Sequence, residues 1–250
     1  MLALMRRLSR ILALSVAVPL LAVAAPAVAS GPLSTEQADA VRAYVRDTLD
    51  ELGVPGAAVV IVGPEGIEFA EGFGKARDDG TPATPQTPFH IASLSKQLTS
   101  IAVMQLVASG DLSLDATVRS YIDWFGSDGS ETARITVRDL LAQVSGLSTN
   151  QGLTYRIDEY DADDALERTV RRLALEGPEH TRGQFEYSNA NYDVLGYLVA
   201  LASGESYEAY MTEHVIGPLQ MTHAHLSDAG ARADGLAQGH YLFFGVRIAY

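Results

Sequence analysis

The 250-residue sequence contains no cysteine, a single tryptophan and only two lysines, Lys75 and Lys96. The lack of cysteine excludes disulfide bonds, so the hydrophobic core must stabilise the fold by itself. The sequence also has few positive charges relative to negative ones, and its formal net charge at pH 7 is −13. This acidic balance argues against a nucleic acid as partner. Low-complexity tracts and internal repeats are absent, and a hydrophobic content of 47% is typical of a globular protein.

The first 29 residues differ from the remainder of the chain. Three arginines precede an almost wholly apolar stretch over residues 11–25, and the small-x-small segment Ala27-Val28-Ala29 follows it. This order is that of a secretory signal peptide, so we predict cleavage after residue 29. A retained membrane anchor is the alternative, but the stretch is short for a membrane span and contains Pro19. Cleavage would change the net charge from −13 to −16 and leave no stable membrane span in residues 30–250.

Local patterns predict a helix, a β-hairpin and then a mainly helical stretch. Ser34 and Gln37 resemble a capping box, and apolar residues at helical spacing follow them as far as Gly53. Two runs rich in β-branched residues then flank a Gly-Pro-Glu-Gly turn, which predicts the hairpin. Within one partial domain over residues 30–250, we predict a helix-and-hairpin part over 30–92 and a mainly helical region over 93–235. Further helices are predicted over 93–109, within 135–144, and over 163–176, 191–203 and 207–215, with the start of a strand within 242–248.

The tetrad Ser93-Leu94-Ser95-Lys96 opens the second predicted helix. A serine and a lysine at this spacing lie on one face of a helix, one turn apart. The helix N-terminus offers unpaired N–H groups and a partial positive charge, which favour the alkoxide form of a serine hydroxyl. A neutral lysine can accept the hydroxyl proton. The tetrad therefore suits a nucleophile with its base, although taken alone it fits a solvated lysine on an amphipathic helix better.

A second candidate segment is Tyr187-Ser188-Asn189, which lies before an apolar helix. A tyrosine and an amide two residues apart on a loop can both point into one cleft. The phenol can relay a proton, and the amide can hold a substrate carbonyl or N–H group. The alternative is structural, with Tyr187 packed and Asn189 capping the helix.

Residues 89–99 resemble the nucleophile segment of class C β-lactamases and of related D-alanyl-D-alanine carboxypeptidases and esterases. Tyr187-Ser188-Asn189 resembles the second motif of the same family, 94 residues after Ser93 and in the expected order. The resemblance covers about residues 35–227, and on it the chain is identified as a member of the serine β-lactamase and penicillin-binding-protein family. Three connecting segments also resemble the family in order, at residues 110–115, 135–147 and 217–222.

The resemblance implies an α+β, serine β-lactamase-like fold, in which helices flank an antiparallel sheet and a helical subdomain is added. It implies a secreted, periplasmic or cell-envelope hydrolase of a bacterium that forms an acyl-enzyme on Ser93 with a β-lactam, a D-alanyl peptide or an ester. Lys96 would activate Ser93, Tyr187 would act as general base and then protonate the leaving group, and Asn189 would bind the substrate amide. Which of Lys96 and Tyr187 takes the first proton stays open. No metal or organic cofactor is implied, and we expect a monomer.

The sequence departs from the family in two places. Ala142-Gln143-Val144 replaces a more polar trio, which we expect to be structural and to have little effect on chemistry. The family's third motif, Lys-Thr-Gly or His-x-Gly on a strand, is not found in these residues. We therefore expect a C-terminally truncated domain without its last strands, and losing the oxyanion donor of that motif would cost roughly a hundred- to a thousand-fold in rate. The alternative is a truncated, non-catalytic relative that binds peptidoglycan-like peptides or a protein partner.

Two other hydrolase chemistries find little support. An α/β-hydrolase would need Gly-x-Ser-x-Gly, and no serine of the chain has glycine two residues away on both sides. His223-Ala224-His225 is a weak zinc pattern without a partner glutamate motif, and such a pair is more typical of a polar surface. We therefore predict no metal site.

Overall fold

The computed structural model describes residues 32–154, 164–243 and 246–249, so the predicted signal peptide lies outside the described residues. Within these ranges, none of the helices combines the length and the apolar character needed to cross a bilayer. The division of the chain at residue 92 stays a prediction.

The helices and strands are α1 (Thr35–Leu52), β1 (Gly56–Gly63), β2 (Gly66–Gly74), α2 (Ser95–Ser109), α3 (Val137–Leu141), α4 (Gln151–Thr154), α5 (Ala165–Glu176), α6 (Asn189–Ser203), α7 (Tyr207–Tyr210), α8 (Asp228–Ala233), β3 (His240–Phe243) and β4 (Val246–Ala249).

The first helix and the hairpin form as predicted. Ser34 Oγ accepts a hydrogen bond from the backbone N–H of Gln37, and the Gln37 side chain accepts one from the N–H of Ser34. Gly53 ends α1 in the left-handed region, with φ of 64°, which glycine adopts without steric cost. Strands β1 and β2 pair antiparallel, with a register shift between Ile61 and Val62. The capping box and the hairpin are therefore confirmed.

The main hydrophobic core lies among α2, α3, α5, α6 and the segment after α7. Helix α6 is central, because Leu195 and Leu198 are fully buried, as are Val103 of α2, Leu140 of α3 and Leu173 of α5. Burying a side chain of this size stabilises the fold by about 1.5–3 kcal/mol. This core fixes the ends of α2 and α6, where the candidate residues lie.

Several element boundaries differ from the predicted ones. A 3₁₀ turn, Ala92–Leu94, precedes α2, so the α-helix begins two residues after Ser93. Helix α6 begins at residue 189 rather than 191, because the Ser188 side chain accepts from Ala190 N and caps it. The helix predicted over 207–215 begins as α7 and continues as a π-helix, Met211–Ile216.

The structure also contains short elements that sequence periodicity does not reveal. Helices α4 and α8 are too short to show a 3.6-residue repeat. The single strand start predicted within 242–248 is instead an antiparallel hairpin of β3 and β4. With two antiparallel hairpins beside a helical core, the predicted α+β architecture is confirmed.

Candidate active site

Ser93 lies in the 3₁₀ turn before α2, and its side chain is exposed. The preceding residue, Ala92, has φ of 45°, in the left-handed region that side chains other than glycine rarely adopt. Two hydrogen bonds hold the turn, from Leu94 N to Ile91 O at 3.0 Å and from Ser95 Oγ to Ala92 O at 2.7 Å. A strained backbone held by its neighbours is often found at functional sites.

The structure brings all four predicted site residues together. Tyr187 Oη donates a hydrogen bond to Ser93 Oγ at 2.5 Å, across 94 residues of sequence. Lys96 Nζ donates to Asn189 Oδ1 at 2.6 Å and lies 5.0 Å from the centroid of the Tyr187 ring. The hydroxyl of Ser93 is therefore within proton-transfer distance of a phenol that lies beside an ammonium group.

Tyr192 is a neighbour of the site that sequence reasoning missed. Its ring centroid lies 5.5 Å from Lys96 Nζ, so two aromatic rings are within cation–π distance of the ammonium group. Its hydroxyl is 3.1 Å from Ser100 Oγ, which fixes the ring orientation. The sequence offers one signal for Tyr192: it lies three residues after Asn189, and that spacing places both side chains on one face of α6.

Gln143 holds the two residues that flank Tyr187. It is only 7% exposed, and its Oε1 accepts hydrogen bonds from Ser188 N at 2.9 Å and from Asn191 Nδ2. Its backbone carbonyl accepts from Glu186 N at 2.9 Å. Gln143 is structural, as expected, but it acts directly on the loop that carries Tyr187.

The loop after Gly146 secures Tyr187 from another direction. Ser188 Oγ donates to Ser148 O at 2.6 Å, and Thr149 Oγ1 donates to the backbone carbonyl of Tyr187 at 2.5 Å. Ser188 is the N-cap of α6, which leaves the Asn189 side chain available to Lys96. The alternative in which Asn189 caps the helix is therefore wrong. The other part of that alternative, a packed Tyr187, does not fit either, because Tyr187 is 42% exposed.

Gly152 fixes the position of Asn189 by close approach. Asn189 Nδ2 donates to the Gly152 carbonyl at 3.3 Å. A Cβ added to Gly152 would lie 2.6 Å from the backbone nitrogen of Asn189, closer than real Cβ contacts allow. Only glycine therefore lets α4 pack against the start of α6 at this distance.

Three of the four candidate residues, Ser93, Lys96 and Asn189, line a cleft of about 1250 Å³ together with Tyr192. This volume exceeds the roughly 300–1,000 Å³ typical of small-molecule pockets. Apolar walls come from Phe89, Leu98, Leu166, Ile216 and Met221, among others. The cleft therefore has both the polar groups and the apolar surface that a small-molecule site needs.

His223 and His225 also line the cleft. His223 Nδ1 and His225 Nε2 lie 2.9 Å and 2.7 Å from the same oxygen, Asp234 Oδ2. Hydrogen bonds from His225 and then His223 lower the pKa of the Asp234 carboxyl below its ordinary value of 3.8. The two imidazoles thus hold a carboxylate, which accounts for the pair without a metal.

The described residues contain another group of potential metal ligands, Glu205, Glu213 and His214, whose ligand atoms lie within 4.8 Å of one another. His214 Nε2 is 3.1 Å from Glu205 Oε1, so the imidazole already has a carboxylate partner. None of the three lines the cleft. This group therefore has no place in the chemistry of Ser93.

Comparison with known proteins places this chain in a family. Residues 41–244 match the family model described as Beta-lactamase. Protein flp of Staphylococcus aureus (strain MW2) is 29% identical over 213 residues, which are 84% of this chain and 42% of that protein. The putative penicillin-binding protein PbpX of Bacillus subtilis (strain 168) is 32% identical over 181 residues, which are 72% of this chain and 43% of that protein. The chain thus spans less than half the length of these curated relatives.

The fold is shared as well. The octameric penicillin-binding protein homologue from Pyrococcus abyssi superposes with a TM-score of 0.74 at 26% identity, over 84% of this chain and 50% of that one. The predicted serine β-lactamase-like fold is confirmed by this similarity. Our expectation of a monomer stays a prediction. On the match over residues 41–244, the chain belongs to the Beta-lactamase family.

Proposed function

We propose that this chain carries the nucleophile, proton-transfer and amide-binding groups of a secreted serine hydrolase, and that Ser93 forms an acyl-enzyme. The substrates are β-lactams, D-alanyl peptides or esters. The observation that carries the proposal is the 2.5 Å hydrogen bond between Tyr187 Oη and Ser93 Oγ. Membership of the Beta-lactamase family and the similarity to a putative penicillin-binding protein support the substrate class.

In the first step, Ser93 Oγ attacks the carbonyl carbon of the substrate while the hydroxyl proton leaves. Tyr187 Oη is in direct hydrogen-bond contact with that hydroxyl, so we assign it the role of proton acceptor. The phenol first loses its own proton to solvent, and the phenolate then takes the proton of Ser93. When the tetrahedral intermediate collapses, the C–N bond of an amide or the C–O bond of an ester breaks. The same proton then passes from Tyr187 to the departing nitrogen or oxygen. Water then hydrolyses the acyl-enzyme. Tyr187 takes a proton from the attacking water and returns it to Ser93 Oγ, which regenerates Ser93.

Lys96 supports this cycle through its charge. Its ammonium group lies 5.0 Å from the Tyr187 ring centroid, where it favours negative charge on the phenol oxygen. Its hydrogen bond to Asn189 Oδ1 also orients the amide so that Asn189 Nδ2 can donate to a substrate carbonyl. Lys96 therefore links the proton-transfer group to the substrate-binding group.

The oxyanion of the intermediate needs N–H donors. Ser93 lies in the first turn of the helical segment, where backbone N–H groups have no partner within the helix, and we assign one donor to its N–H. The second donor in the family comes with a third motif that these residues do not contain. The proposal for this chain is therefore acylation of Ser93, which a covalent probe can report even when turnover is slow.

The test is the intact mass of the purified protein after exposure to benzylpenicillin and, separately, to a fluorophosphonate probe. The expected result is one adduct per chain that Ser93→Ala abolishes. Ser109→Ala is the matched control, because it removes an exposed hydroxyl from the far end of α2, where it donates to Asp111. No adduct on a folded sample refutes acylation and favours the non-catalytic alternative, a relative that binds peptides or a protein partner.

A further inference from the structure

A second cavity, of about 320 Å³, lies between the loop after β2 and the segment after α8. It shares only His90 and Leu236 with the cleft that contains Ser93. Its volume is at the lower end of the range for small-molecule pockets, roughly 300–1,000 Å³. Its remaining walls are Arg77, Arg232 and residues 237–239. The proposed hydrolase mechanism gives this cavity no role.

Backbone hydrogen bonds hold both walls of the cavity in place. Gln238 N donates to Ala76 O and Ala237 N donates to Pro88 O, each at 2.8 Å. The side chain of Gln238 also accepts from Asp78 N at 3.2 Å. Ala76 and Ala237 belong to a small buried apolar cluster beneath these bonds. The cavity is therefore preformed, which lowers the entropic cost of binding a ligand.

Arg77 is the residue that points to a ligand. Among the described residues, its Nε is the buried side-chain polar atom without a hydrogen-bond partner. The guanidinium packs beneath Gly235, where a Cβ would lie 3.0 Å from Nη2 of Arg77. A buried N–H donor without an acceptor is unfavourable, and buried polar groups nearly always have partners. Arg77 also lines the cavity, so an anion bound there would offset the charge of this incompletely paired guanidinium.

Two guanidinium groups line the cavity and offer hydrogen-bond donors to an anion. Arg232 adds a second guanidinium, which uses Nε to bind Asp228 and has further N–H donors. Asp78 Oδ1 lies 3.1 Å from His240 Nε2, and hydrogen bonds from Thr81 together with the charge of Arg77 lower the pKa of Asp79. Two arginines thus face one cavity in a chain whose net charge is −13.

We propose that this cavity binds a small organic anion whose carboxylate or phosphate group is held by Arg77 and Arg232. Planar guanidinium groups bind both kinds of oxyanion with paired, charge-assisted hydrogen bonds. The anion would accept from the guanidinium N–H groups of Arg77 and Arg232, which both line the cavity. The site is distinct from the acylation site and does not depend on the proposed hydrolase activity.

The test is isothermal titration of the full chain with succinate and with inorganic phosphate, at an ionic strength held constant with sodium chloride. We expect saturable binding of at least one probe with a Kd of about 1 mM or lower. The probe that binds more tightly identifies the preferred group as carboxylate or phosphate. Absence of saturable heat with both probes overturns the proposal.

Substitution of Arg77 tests whether the anion binds in this cavity. Arg77→Gln should weaken binding about tenfold or more, because charge-assisted hydrogen bonds to the anion are lost. Arg134→Gln is the matched control, since it removes the same charge from an exposed arginine paired with Glu131. Equal affinities for Arg77→Gln and Arg134→Gln overturn the proposal.

Two further variants keep the result interpretable. If circular dichroism shows that Arg77→Gln does not fold, Arg232→Gln decides, and unchanged affinity in that variant overturns the proposal. Ser93→Ala should bind the anion with unchanged affinity. If Ser93→Ala abolishes binding, the anion occupies the acylation cleft and the separate site is refuted.

Discussion

Gln143→Met tests most sharply how the fold holds Tyr187 in place. Methionine has nearly the same shape as glutamine but lacks the amide oxygen that accepts from Ser188 N and Asn191 Nδ2. Ser188 and Asn191 are both 0% exposed, so water cannot replace the lost acceptor. Each buried donor left unsatisfied costs about 1–3 kcal/mol, so we expect a loss of roughly 2–6 kcal/mol in the free energy of unfolding.

Two features make this substitution clean. Residue 143 has φ of 59°, and this strain applies equally to glutamine and methionine, so it cancels. The bond from Glu186 N to the backbone carbonyl of Gln143 is retained, so only the side-chain amide is tested. We also expect slower labelling of Ser93 by a fluorophosphonate probe, because the loop that carries Tyr187 loses an anchor.

The assay is urea unfolding followed by circular dichroism, with the labelling rate measured on the same samples. Gln97→Met is the matched control, because Gln97 is exposed on α2 and does not line the cleft. Its loss should be below about 1 kcal/mol. A loss below about 1 kcal/mol for Gln143→Met, with unchanged labelling, would refute the reasoning.

Three further predictions follow from the packing and the charges. Gly152→Ala should lower the free energy of unfolding by about 1–3 kcal/mol and slow the labelling of Ser93, because the added Cβ displaces the start of α6. An unchanged melting temperature and labelling rate would contradict this. Leu198→Ala should cost about 2–5 kcal/mol in urea unfolding, and the half-exposed Leu201→Ala on the same helix less than about 1 kcal/mol. The folded pKa of Asp234 is lowered, so its stabilisation is full above the unfolded value of 3.8 and is lost as the pH falls through the folded pKa. The difference in Tm between wild type and Asp234→Asn should therefore shrink as the pH is lowered from about 6 to about 2, and a constant difference would exclude this linkage.

Local sequence signals were enough to predict the first helix, the first hairpin and the end of α2. The capping box at Ser34, the turn between β1 and β2 and the stop at Gly110 are each determined by residues close in sequence. All four site residues were predicted from the resemblance to the family's first and second motifs, because the spacing of Ser93 and Lys96 alone fits a solvated lysine better. These positions meet in the structure because α2 and α6 share one core.

The parts that sequence reasoning missed depend on contacts between distant residues. The 3₁₀ turn at Ala92–Leu94 needs a left-handed alanine, which no local preference predicts. The sequence marks Gln143 only as part of a departure from the family, and its importance arises from donors more than 40 positions away. Tyr192 and Gly152 likewise acquire their roles only when α6 packs against α2 and α4.

The central claim is that Tyr187 activates the Ser93 hydroxyl, and the most direct measurement is the rate of Ser93 phosphonylation in Tyr187→Phe. This variant removes only the oxygen that lies 2.5 Å from Ser93 Oγ. Tyr121→Phe is the matched control, because its hydroxyl accepts from Ser113 N away from the cleft. The account predicts a fall of roughly a hundred- to ten-thousand-fold for Tyr187→Phe and an unchanged rate for Tyr121→Phe. A Tyr187→Phe rate equal to that of the wild type would contradict it.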